Sequence, residues 1–139
     1  MITLRFPNLV ERVASRIVDS LQALVVREQV NNVRAIIKKV EGGVMYLALL
    51  DLPSSPYPHL YSELSLNLRN PLVREMFNLF QRHDKGLFKG EFISSGPSSC
   101  LEGEIRVAER SYRTKFELDE FLIFGEPSGY MYLKDIRMA

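Results

Sequence analysis

Apolar and polar positions alternate from Met1 to Phe6 and stop at Pro7, which allows at most a short edge strand there. From Asn8 the period becomes helical: Val10, Ala14, Ile17, Leu21 and Leu24 recur at spacings of four and three and share one stripe, widened by Val13, Val18 and Val25. Asn8 with Glu11 three residues on reads as a capping box, so a helix is predicted over about 8–28. Asn31 and Asn32 then favour a turn. A hairpin over 33–50 follows, its strands Val33 to Val40 and Val44 to Leu50 joined by Glu41, Gly42 and Gly43. Val44 to Leu50 is apolar on both faces, which predicts a central strand with the first helix as its cover.

Three prolines between Leu52 and Tyr61 exclude regular structure and predict one long loop over 52–61. Ser62 to Leu68 is a short strand candidate, and Asn70 with Pro71 reads as the cap and first residue of a second helix over about 71–83. That helix carries Leu72, Met76, Phe77, Leu79 and Phe80 on its apolar face. Beyond residue 86 the period is two, predicting an antiparallel meander over 87–137 that includes Phe121 to Phe124. Gly90 and Gly103 inside strands mark tight bends. The expected fold is therefore α+β: two helices with a strongly curved, mostly antiparallel sheet, partly closed like a β-barrel, in one domain spanning 1–139.

Composition changes this picture little. At 139 residues, 46% hydrophobic and 25% charged, the chain has the balance of one ordinary globular domain. Eighteen basic against seventeen acidic residues give no overall attraction to a polyanion. A single cysteine, Cys100, leaves no intrachain disulfide, and the longest apolar run is far short of the ~20 residues of a spanning helix. The expectation is a cytoplasmic protein with no membrane span.

The familiar phosphate-loop, dinucleotide, nucleophile-elbow and zinc signatures do not occur, and no cofactor is implied. His59 and His83 stand far apart, without ligand spacing, and read as surface groups. Cys100 has no local feature to activate it. Glu102 and Glu104 lie on one strand face about 6.5 Å apart, with Glu91 expected across the hairpin. Two carboxylates at such a separation suit glycoside hydrolysis, but alternation on a wet sheet face accounts for them without chemistry.

Two features point to partners. The stripe of Val10, Ala14, Ile17, Leu21 and Leu24 offers more apolar surface than one sheet face covers, and the proline-rich loop adds Tyr57, Leu60 and Tyr61. The leading expectation is a non-enzymatic adaptor or assembly subunit that meets a protein partner, or a second copy of itself as a homodimer, through these residues. A second reading is a small barrel that binds single-stranded nucleic acid along Lys89, Arg106, Arg113 and Lys115, weakened by the acidic residues on the same face. A third is a pocket protein or enzyme holding a small apolar ligand in a large enclosed cavity between sheet and second helix, with Glu91, Glu102 and Cys100 as the residues to test. No catalytic or metal-binding residue is assigned.

Overall fold

A computed structural model of the chain describes residues 25–54, 61–95, 98–118 and 130–139. Within these residues the strands are β1 (Val26–Glu41), β2 (Val44–Leu50), β3 (Glu63–Asn67), β4 (Gly86–Ser95), β5 (Ser98–Val107), β6 (Arg110–Leu118) and β7 (Tyr130–Met138), with one helix, α1 (Pro71–Arg82), between β3 and β4. They close into a barrel in the order β1-β2-β3-β7-β6-β5-β4, with β4 returning to β1. Every pairing is antiparallel except β3 with β7, which is parallel.

Closure depends on β1. Its first half pairs with β4 from Val26 opposite Ser94, and its second half pairs with β2 up to Glu41 opposite Val44. Within the β4 pairing, which runs on to Ala35 opposite Gly86, lies a register shift at Val30 to Val33, where Asn32 has φ 50. Asparagine tolerates this left-handed conformation better than a branched residue does. The expected turn at Asn31 and Asn32 is thus a bulge that bends one long strand, because pairing on both sides outweighs the local turn preference. Residues 26–28, expected to be helical, are strand for the same reason, while the helix body over 8–24 lies outside the described residues. So do residues 55–60 of the proline-rich loop and the expected strand Phe121 to Phe124. The expected partly closed sheet is fully closed, and one of the two expected helices is among the described residues.

Alternation fills the interior. Met45, Leu47, Leu64, Leu66, Phe88, Leu101, Ile105, Tyr112, Phe116 and Met131 are all fully buried. Strand β2 alternates buried and half-buried positions, so its outer face is not sealed as its composition suggested. Helix α1 starts where Asn70 Oδ1 accepts from the Leu72 backbone N–H at 2.9 Å, with Pro71 at the first helical position. It ends at Arg82, where the His83 N–H donates to the Leu79 carbonyl at 2.9 Å. Val73, Met76 and Phe80 turn its apolar face into the barrel end.

Candidate functional site

The topology makes the two rims of the barrel unlike. Strands β1, β3, β5 and β7 begin, and β2, β4 and β6 end, at one rim. The opposite rim holds the tight β1–β2 turn at Gly42 and Gly43, the β5–β6 turn, and helix α1. It follows that the segment preceding β1 and the proline-rich stretch between β2 and β3 both join the barrel at the first rim. These two segments contain all the candidate partner residues: Val10, Ala14, Ile17, Leu21, Leu24, Tyr57 and Leu60, which lie outside the described residues, and Tyr61, which is described.

Tyr61 is fully buried, with its ring 4.7 Å from that of Phe92. Its hydroxyl donates to Glu28 Oε1 at 2.7 Å. Burial, and then this bond to a carboxylate, raise its pKa, so the phenol stays protonated as a donor. Tyr61 therefore acts as a tie between the end of the proline-rich stretch and the start of β1, and its ring belongs to the core. Leu49 reinforces the junction, its N–H donating to the Ser62 carbonyl at 2.8 Å.

The wet face over β4, β5 and β6 gathers the other candidates. In cross-strand register, Gln29, Glu91, Glu102, Lys115 and Asp135 form one row, and Lys89, Glu104, Arg113 and Arg137 form the next. An open trough of about 480 Å³ runs over Glu91, Glu102, Glu104 and Arg113. A second hollow of about 260 Å³ continues it over Lys115 and Asp135. The carboxylates are matched by neighbours: Glu91 accepts from Arg27 at 3.1 Å and Gln29 at 2.8 Å, Arg113 lies 3.8 Å from Glu104, and Lys115 lies 3.9 Å from Glu102. The Glu91 side chain is 27% exposed and that of Arg113 is 53% exposed, so water reaches the whole trough. Screened, mutually paired charges of this kind do not present one sign to a polyanion.

The four basic residues of the nucleic-acid reading are all exposed or half-buried on this outer surface, but acids alternate with them. Lys89 faces Glu104, and Arg106 turns its Nε to the Ala108 carbonyl at 3.2 Å. Cys100 is half-buried within β5, where burial and then the nearby Glu102 push its thiol pKa up, away from reactivity. Between the sheet and α1, where the third reading expects a ligand cavity, Met76 and Phe80 are buried, the Phe80 ring lying close to Gly86. Among the described residues no group of three or more His, Cys, Asp or Glu is placed to hold a metal ion, and no helix is long and apolar enough to cross a membrane.

One cluster was missed in the sequence. Tyr46 on β2 with Tyr130 and Tyr132 on β7 lie on the outer surface, across the short β3. Their alternation with Met45, Leu47 and Met131 carried the signal, but which strands are neighbours did not follow from it. No family model, no curated protein and no solved structure matches the chain.

Proposed function

We propose that this protein is a non-enzymatic interaction module, an adaptor or assembly subunit, working through the rim at which the segments carrying the N-terminal stripe and the proline-rich stretch join the barrel. One observation carries the reading. The two segments that the sequence marks as excess apolar surface join the barrel at the same rim, and Tyr61 with Glu28 ties their ends together. Two apolar segments brought to one place form a larger contact patch than either alone, and tyrosine and proline supply contact area at low ordering cost. The partner is a protein surface or a second copy of this chain, and the lone thiol suits a reducing, cytoplasmic setting.

The test uses the full chain. Its mass by light scattering and its capture of native partners are compared with those of Ile17→Asp/Leu21→Asp and Tyr57→Ala/Leu60→Ala, each checked for the β-sheet signal and unfolding midpoint. Association should weaken about tenfold or more, as expected when central apolar contacts are removed, while the fold is kept. A strictly monomeric chain that captures no protein, or variants that unfold instead of dissociating, would overturn the reading.

A further inference from the structure

The outer tyrosine face is built by a small residue on β3 and a bulge on β1. Ser65 of β3 lies in register between Tyr46 and Tyr132, and its small side chain leaves the space above β3 open. The Tyr46 and Tyr130 rings meet with their centroids 4.8 Å apart. Across β2, the register of β1 shifts between Ile37 and Lys39, so Lys38 is an extra residue. Consecutive residues of a regular strand point to opposite faces, whereas a bulge re-aims one of them. Lys38 and Lys39 consequently reach the same outer face: the Lys39 ammonium lies 4.9 Å from the Tyr46 ring centroid and the Lys38 ammonium 5.7 Å from that of Tyr130. Lys38 also pairs with Glu63, and Tyr132 donates to Glu117 at 3.2 Å with 39% of its surface exposed.

We propose that this face, formed by Tyr46, Tyr130 and Tyr132 with Lys38 and Lys39, binds single-stranded nucleic acid, the rings stacking bases and the lysines meeting phosphates. Outward-facing aromatics, Tyr132 exposed and Tyr46 and Tyr130 half-buried, flanked by cations on the outside of a small barrel are the combination such strands require, since every base offers a flat face and every linkage a negative charge. An acidic protein segment would use the same lysines, and its capture is one outcome of the test. The trough over β4 to β6 has cations without exposed aromatics, and so lacks half of the combination. The face borders that rim at Tyr130, the first residue of β7, but shares no residue with the proposed protein contacts, so the two sets of variants test the two assignments separately.

The experiment is a fluorescence anisotropy titration of the full chain with a labelled oligo-dT of about 12 nucleotides, within the range of single-barrel sites. Binding should quench tyrosine emission. Its logarithm should fall against log salt with a slope of about −0.7 to −1.4, the value for one or two phosphates. Tyr132→Leu and Tyr46→Leu should each weaken binding about fivefold or more, the stacking loss of one base, whereas Tyr132→Phe keeps it. Lys39→Glu should weaken binding and flatten the salt slope. Absence of binding, binding lost on Arg113→Glu/Lys115→Glu but not on the tyrosine changes, or equal loss with Phe and Leu would each overturn the proposal. Capture of an acidic protein that competes for the same variants would overturn it also.

Discussion

Tyr112 places its ring in the barrel core while its hydroxyl reaches Glu75 Oε1 on α1 at 2.7 Å. Arg110 donates to the same oxygen at 2.7 Å from Nη2 and 3.0 Å from Nε. The Tyr112 bond, and then Arg110, hold the Glu75 carboxyl below its ordinary range. Burial, and then the bond to Glu75, push Tyr112 up to about 12 from an ordinary value of 10.0. For Tyr112 the folded value lies above the unfolded one, so its contribution is whole below pH ~10 and is lost as pH rises towards ~12. Glu75 runs the other way: its contribution is present above the ordinary carboxylate range and fades as pH falls through its lowered folded value. Denaturant midpoints should therefore hold to about pH 10 and then drop. Tyr112→Phe should cost about 1 kcal/mol at neutral pH and remove part of the alkaline drop, with Tyr61 supplying more of it. An alkaline profile identical in wild type and Tyr112→Phe would contradict this account. The sequence disclosed that Tyr112 faces inward but gave no sign of Glu75, which lies 37 residues away.

At the scale of elements, the two glycines expected to mark tight bends lie in an unbroken pairing and serve close approach of the strands. Gly90 and Gly103 face each other across β4 and β5, with the Phe88 ring against both. A Cβ on Gly90 would sit 2.2 Å from the Glu102 carbonyl oxygen and 2.7 Å from the Gly103 Cα, backbone atoms that cannot rotate aside. Gly90→Ala should cost about 3 kcal/mol or more in chemical unfolding, at the upper end of overpacking effects. A loss below about 1 kcal/mol would mean that the strands separate easily, contrary to this packing. The second helix was legible almost to the residue because Asn70 and Pro71 act locally, and the meander because its alternation is unbroken. The bulges at Val30 to Val33 and at Lys38 were not legible, since a bulge is defined by what lies on the neighbouring strand.

For the whole molecule, the seam between β3 and β7 is the shortest pairing, running from Glu63 opposite Tyr130 to Ser65 opposite Tyr132. Leu64 and Met131 meet there, both fully buried. A closed barrel has no free edge, so weakening this seam should destabilise the whole and not one strand. Met131→Ala should lower stability by about 2–5 kcal/mol while unfolding stays a single transition by circular dichroism and tyrosine fluorescence. Separate transitions by the two probes would show that the seam opens on its own.

Local patterns in the sequence were enough for the cap and length of α1, the β1–β2 turn, and the alternation of β4 to β6 with the inward side of its apolar residues. These follow from neighbours within a few positions, where capping, glycine conformation and the two-residue strand period act. Tertiary structure alone decided the closure of the sheet, the parallel pairing of β3 with β7, the conversion of Asn31 and Asn32 from a turn into a bend, and the meeting of Tyr46 with Tyr130 and of Tyr61 with Glu28. Those outcomes depend on contacts between distant residues, whose pairing is selected by the burial of the whole core.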